Sequence, residues 1–322
     1  MFSLGVSFFV DSVLIFALAF LIDIAFGELP DKAHPTVWMG KIVAYVKPRM
    51  KSANPKVEKV NGVFLCVGLI AVFAVPVFFV LWAIRQIPVW GWLLYIVVAA
   101  VLLKTTFALK CMRHYTYPIE KALKNKDSDK ARGWLHFIVR RDPNKLDERH
   151  IISAAVESIA ESTTDGVTSP FFFFALFGVP GAFAFRVINT LDSMVGYKDP
   201  VNVNIGWFSA KMDTITNYVP ARLTAVLMVA SAGLVGADWR NSWRILKRDK
   251  NKTASPNAGW TISAMAGALN TQLEKQGYYA LGDGETIYPE DIAKAWRMMG
   301  LTAVLFGLVV VLPILALESF FI

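Results

Sequence analysis

Long apolar stretches broken by isolated charges set the rhythm of the chain. Residues 2–26 are apolar except for Asp11 and Asp23, and residues 62–84 carry no charge. Residues 88–103 continue through Thr105 and Thr106 to Leu109 with Lys104 as the one charged interruption, and residues 300–321 hold only Glu318. Each stretch is long enough for a helix to cross a hydrocarbon core roughly 30 Å thick, which takes about 20 residues. The first lacks the basic start of a secretory signal and runs into FGELPD without a small-residue cleavage pattern. It reads as a retained membrane helix.

Two further stretches admit two readings. Residues 167–185 are uncharged but contain Ser169-Pro170 and the breaker run Gly178-Val179-Pro180-Gly181, and residues 219–237 are apolar apart from Arg222. Either spans, or dips in and returns, because irregular backbone is tolerated at membrane depth where protein or water covers it. Ahead of them the pattern predicts a polar helical stretch over about 118–137, broken at 125–128, and a helix over about 147–161. Period-two alternation never persists, so strand signals are weak. The expectation is an all-α, polytopic integral membrane protein with about four to six membrane segments, some re-entrant. It reads as one membrane-embedded domain over 1–322. Three N-terminal membrane helices (1–111) precede a polar core (112–222), and a membrane segment, a loop and a last helix (223–322) follow.

Composition agrees with that class. The chain has 322 residues, of which 55% are hydrophobic, and its mean hydropathy is +0.45. A soluble enzyme of this length is normally less apolar. The net charge of +8 sits in particular loops: residues 27–61 hold seven Lys and Arg, from Lys32 to Lys59, and 104–166 and 238–299 are also rich in them. The positive-inside rule makes these loops cytoplasmic and places the N-terminus outside. No interleaving of basic and aromatic residues points to nucleic acid, so the basic balance reads as topology plus anionic membrane lipid. Cys66 and Cys111 offer no disulfide framework, and His34, His114, His136 and His150 lack zinc-ligand spacing.

The chemistry should lie between Arg141 and Arg222, where ionic side chains stand among membrane-grade residues at a cost of several kcal/mol each unless paired, hydrated or ligand-bound. Glu157, Glu161 and Asp165 follow at steps of four along one drifting helix face. They are either a solvated acidic face or a set of oxygen ligands suited to Mg²⁺, which takes one or two carboxylates plus substrate phosphates. Arg186, Asn189 and Ser193 would form one polar face. That face either joins helices by hydrogen bonds or lets Arg186 grip an anion while Asp192 holds a metal or a cationic amine. Lys211 and Asp213 follow Gly206-Trp207. Arg222 lies one turn into an apolar segment and would snorkel to headgroups, or add a phosphate-binding charge beside the other polar groups. Ser255 reads as an N-cap with Pro256 at the first helical position, and backbone N–H groups beside Asn257 could bind an anion. The small residues Ala264, Ala266, Gly267 and Ala268 permit close approach of a helix or a flat ligand. No GxxxxGK[ST], GxGxxG, GxSxG or HExxH is present.

Several long motifs, in order, resemble the adenosylcobinamide-phosphate synthase family of cobalamin biosynthesis, the CbiB/CobD membrane proteins. They are HPTVWMG (34–40), AAVESIAESTTDGVTSP (154–170), GVPGAFAFRVINTLDSMVGY (178–197), GWFSAKMD, PARLTA and SPNAGWTISAMAGAL (255–269). The resemblance implies ATP-dependent amide ligation of aminopropanol, or its phosphate, to the corrinoid adenosylcobyric acid. ATP is then a co-substrate, Mg²⁺ assists, and the site opens to the cytoplasm. Glu157, Glu161, Asp165, Asp192 and Asp213 are the catalytic candidates, for metal and amine, with Glu161, Asp165 and Asp192 the metal ligands. Arg186, Asn189, Lys211, Arg222, Ser255 and Asn257 are candidates for phosphates and the acyl oxygen. Where the family shows Ala-Glu-Asn-Thr this chain has Ala160-Glu161-Ser162-Thr163, and where it often shows paired aspartates this chain has Asp213-Thr214. A corrinoid-binding membrane transporter and a non-catalytic sensor on the same scaffold are the competing classes, and a homo-oligomer is left open.

Overall fold

The computed structural model describes residues 2–321. In chain order the helices are α1 (Phe2–Phe26), α2 (Pro35–Val46), α3 (Pro55–Arg85), α4 (Gly91–Lys104), α5 (Leu109–Lys124), α6 (Ser128–Leu135) and α7 (Glu148–Ser162). They continue with α8 (Ser169–Val195), α9 (Trp207–Thr216), α10 (Tyr218–Leu234), α11 (Trp239–Asp249) and α12 (Ala258–Ala268). A hairpin of β1 (Leu273–Lys275) and β2 (Tyr279–Leu281) precedes α13 (Glu290–Phe306) and α14 (Leu312–Glu318).

Among the described residues, five helical stretches are long and apolar enough to cross a membrane: Gly5–Phe26, Pro55–Arg85, Gly91–Lys124, Glu148–Val195 and Glu290–Glu318. The protein is therefore an all-α polytopic membrane protein. The stretch 167–185 lies within the fourth. Its breaker run divides α8 into two helical segments, with Phe177 and Gly178 leaving helical geometry and Gly178 taking φ +64°. Tyr218–Leu234 is the shorter apolar helix. The hairpin was not expected; it is only three residues per strand, antiparallel, with Leu273 opposite Leu281. Runs that short leave no readable alternation.

The chain separates into two compact units. The first holds residues 1–108, 169–216 and 310–322. In it α1 lies along α4, α3 along α8, and α2 and α9 also pack on α8. The phenylalanine run supplies the middle of this packing: Phe171 stands edge-on to Phe16 and to Phe107, each 4.8 Å away between ring centres. Asp11, the charge inside the first apolar run, is buried and accepts from Arg85 Nη2 (2.8 Å) and Trp92 Nε1 (2.7 Å). Those two bonds compensate its burial.

The second unit holds residues 109–168 and 217–309. Its axis is α7, buried along nearly its whole length from His150 to Ala160 and flanked by α5, α6, α12, α13 and the hairpin. The Asp147 side chain caps it by accepting from His150 N at 2.9 Å. The small-residue stretch of α12 does admit a helix. A side chain at Gly267 would strike Asn241, Ser242 and Ile245 of α11.

Candidate functional site

Within the second unit the three spaced carboxylates have three different surroundings. A π-helical turn, Thr163–Thr168, follows Ser162 and breaks the α register after Glu161. The single drifting face read from the spacing therefore ends there, and π turns of this kind recur at functional sites. Glu157 is buried and fully engaged. It accepts from Ser153 Oγ (2.8 Å) and Arg141 Nη2 (3.0 Å) on Oε1, and from Tyr279 Oη (2.7 Å) on Oε2. Ser153 Oγ in turn accepts from the Glu274 backbone N–H at 2.8 Å. Glu157 thus fastens the hairpin to α7. Burial, reinforced by the charges of Glu157 and Glu161, holds the Tyr279 hydroxyl far above its usual range, so it stays a proton donor. Glu161 is exposed and Asp165 half-buried. Between them the buried Thr164 hydroxyl finds no hydrogen-bond partner among the described residues.

Also in this unit, Arg222, Ser255 and Asn257 come together. The Arg222 guanidinium donates to Asn257 Oδ1, to the Tyr218 carbonyl (2.9 Å) and to the Pro256 carbonyl (3.1 Å). It also lies over the Tyr218 ring at 3.7 Å and the Trp260 ring at 4.8 Å. Arg222 therefore folds back onto the 255–260 turn. The helix start also differs from expectation: α12 begins at Ala258 with Asn257 at the N-cap. The Ser255 carbonyl, which would open the helix, is taken by Thr253 Oγ1 at 2.6 Å. Ser255 Oγ instead accepts from the N–H groups of Asn257 and Ala258.

In the first unit the polar face of α8 is real. Arg186 Nε donates to the Thr106 carbonyl (2.7 Å) with Nη2 on the same oxygen, and Nη1 donates to Asn189 Oδ1 (3.0 Å). Asn189 Nδ2 passes the contact to Asp213 Oδ1 at 3.3 Å. Asp192 folds its carboxylate against Gly196, where a side chain would collide with it. Lys211 is exposed, its Nζ 5.6 Å from the centre of the Trp207 ring.

Behind Arg186 lies a buried ionic cluster that joins the exit of the first helix to the end of α4. Lys104 Nζ sits 3.0 Å from Asp23 Oδ1 and 2.9 Å from Glu28 Oε1, and donates to the Phe107 carbonyl at 3.3 Å. Thr36 N–H donates to His34 Nδ1 (3.2 Å), which assigns the ring proton to Nε2, 2.8 Å from Glu28 Oε2. Burial opposes ionisation of Glu28, yet His34 and Lys104 prevail and hold its carboxyl below the usual range. Three consecutive carbonyls past the end of α4 are thereby claimed by side chains, two of them from other helices and one from Lys104 at the end of α4. Thr36 Oγ1 takes that of Thr105 (3.4 Å), Arg186 that of Thr106, and Lys104 that of Phe107. The signal was legible, since Asp23 and Lys104 are lone charges in apolar runs.

The candidate residues are thus divided: Glu157, Glu161, Asp165, Arg222, Ser255 and Asn257 belong to one unit, and Arg186, Asn189, Asp192, Lys211 and Asp213 to the other. Among the described residues no three His, Cys, Asp or Glu side chains gather as a metal cage. Glu161 and Asp165 are oxygen donors of the kind Mg²⁺ takes, with phosphate and water completing its shell.

Comparison with known proteins adds a consistent finding. The family model described as CobD/Cbib protein matches residues 16–299. The probable cobalamin biosynthesis protein CobD of Methanothermobacter thermautotrophicus is 40% identical over 309 residues, covering 94% of this chain and 100% of that protein. The cobalamin biosynthesis protein CobD of Dehalococcoides mccartyi is 40% identical over 273 residues, covering 85% and 87%. The probable CobD of Thermoplasma volcanium is 39% identical over 310 residues, covering 96% and 99%. No solved structure matches the protein.

Proposed function

We propose, for a chain that belongs to the CobD/Cbib protein family and acts in cobalamin biosynthesis, that it is an ATP-dependent ligase joining an amine to a corrinoid carboxylate. The amine is aminopropanol or its phosphate, and the acid is adenosylcobyric acid. A carboxylate does not condense with an amine unaided. Its oxygen first takes the γ-phosphoryl group of ATP, releasing ADP. The amine nitrogen then attacks the acyl carbon, loses a proton to a carboxylate, and inorganic phosphate departs.

The observation that carries this reading is the π turn that follows α7. It holds the half-buried Asp165 and the unsatisfied buried Thr164 hydroxyl just beyond the exposed Glu161, at the end of a helix packed along most of its length. Mg²⁺, held by Glu161 and Asp165 and by the phosphates, would supply charge neutralisation for phosphoryl transfer. In the first unit, Asp192 and Asp213 serve the amine and Lys211 serves phosphate. Arg186 and Arg222, one in each unit, supply positive charge for anionic groups. Glu157, with its donors all from the protein, acts by holding the hairpin and the α7 end in place. We assign the site to the cytoplasmic side, where ATP is.

The test is turnover in nanodiscs with corrinoid acid, amine, ATP and Mg²⁺, following ADP and the mass of the corrinoid. ADP should appear only when acid and amine are both present, in step with amide. Glu161→Ala and Asp192→Ala should leave the protein inserted and monodisperse but abolish product, and near-normal turnover removes that residue from the mechanism. Accumulation of corrinoid inside vesicles without covalent change would replace the ligase with a transporter.

A further inference from the structure

Helix α11 carries a surface the ligase reading does not use. At 3.6 residues per turn its side chains fall into three faces. Ser242, Ile245, Leu246 and Asp249 are buried, turned toward α10 and α12. Arg244 and Arg248 form a second face, both paired to Asp283, at 2.8 and 3.0 Å. The third face, an arc of about 100°, holds Trp239, Arg240, Trp243, Lys247 and Lys250.

This third face has an unusual makeup. Trp239 and Trp243 are 50% and 41% exposed. The Arg240 guanidinium lies over the Trp239 ring at 5.4 Å and Lys247 Nζ over the Trp243 ring at 5.6 Å. Among the described residues neither Arg240 nor Lys247 has a carboxylate partner, whereas Arg244 and Arg248 do. Large aromatic rings beside unpaired cations suit neither bulk water nor a protein core. They suit the boundary of a bilayer, where the indole sits at headgroup depth and the cation meets phosphate. The apolar α10 ends at Leu234, with Leu234 67% exposed and Val235 41% exposed, and only a short turn at Gly236 separates it from α11. That connection keeps the stripe close to the apolar surface.

We propose that α11 is an interfacial helix whose Trp239–Arg240–Trp243–Lys247 stripe docks on anionic phospholipid headgroups. The charge balance commits it to an anionic lipid rather than a zwitterionic one, since each cation near a negatively charged leaflet adds attraction that salt screens.

The full-length protein is placed in nanodiscs containing phosphatidylcholine with a photoactivatable headgroup, or the same discs with phosphatidylglycerol carrying that headgroup. Crosslinks are mapped by mass spectrometry. Residues 239–250 should be labelled several-fold more strongly by the anionic lipid, and the excess should shrink in high salt. Arg240→Glu with Lys247→Glu should abolish the excess, while Arg240→Lys with Lys247→Arg should preserve it. Equal labelling by the two lipids overturns the anionic preference. No headgroup labelling, with the stripe instead open to a water-soluble photoprobe, overturns lipid docking and leaves a soluble partner as the occupant.

Discussion

Replacing Lys104 by methionine keeps an unbranched apolar chain as far as Cε and removes the ammonium. Lys104 is 2% exposed and Asp23 0%, and the ammonium lies 3.0 Å from Asp23 and 2.9 Å from Glu28. Removing one partner of a buried ion pair costs about 3–5 kcal/mol, because the charge left behind has lost its compensation. Here two carboxylates lose one ammonium, and the Phe107 carbonyl loses a charged donor, which adds roughly 1.5–3 kcal/mol of hydrogen bonding in comparable cases. Against this, Glu28 keeps its His34 partner and is partly exposed, with 24% of its side chain open to solvent. The expected loss is therefore about 4 kcal/mol, within the range for a single buried pair. Adding Asp23→Asn should restore at least half, since the fully buried charge is then gone. Detergent-unfolding titration in mixed micelles measures both, with the wild type and Asp23→Asn alone closing the cycle. A Lys104→Met protein within about 1 kcal/mol of wild type, the range of surface pairs, refutes the reasoning.

Three further outcomes follow. Glu157→Gln should speed hydrogen exchange across residues 273–281, and Tyr279→Phe should do so less, because it removes one of three donors to Glu157; unchanged exchange in both would separate the hairpin from Glu157. Asp249 is buried, which opposes its ionisation, yet Arg248, Lys252 and the Gly282 N–H outweigh that and lower its pKa from 3.8 to about 2. Its ionic bonding should stabilise the protein fully above about pH 4 and be lost as pH falls toward 2, and Asp249→Asn should flatten that limb of a thermal-stability profile. Ser193 is exposed and Ser209 buried, so Ser193→Cys reports the side on which the α8 end lies. A membrane-impermeant maleimide should reach it from the cytoplasmic face, and labelling only from the other face would contradict cytoplasmic access.

Local pattern alone determined a good deal. Hydrophobic run length placed the long apolar helices, Asp147 marked the start of α7, and Gly178-Val179-Pro180-Gly181 marked the break in α8, because each is set by neighbours in sequence and by the length of a helix needed to cross hydrocarbon. The polar residues that matter were visible as charges in apolar company. Their roles were not. Spacing made Glu157, Glu161 and Asp165 equivalent, and only the tertiary structure separates the buried hub Glu157 from the exposed Glu161 and sets Asp165 apart in a π turn. It alone pairs Lys104 with Asp23, turns Arg222 inward, and divides the candidate residues over two units. Ion pairs and hydrogen bonds form between groups distant along the chain, and desolvation depends on everything packed around them. Helical periodicity carries no record of either.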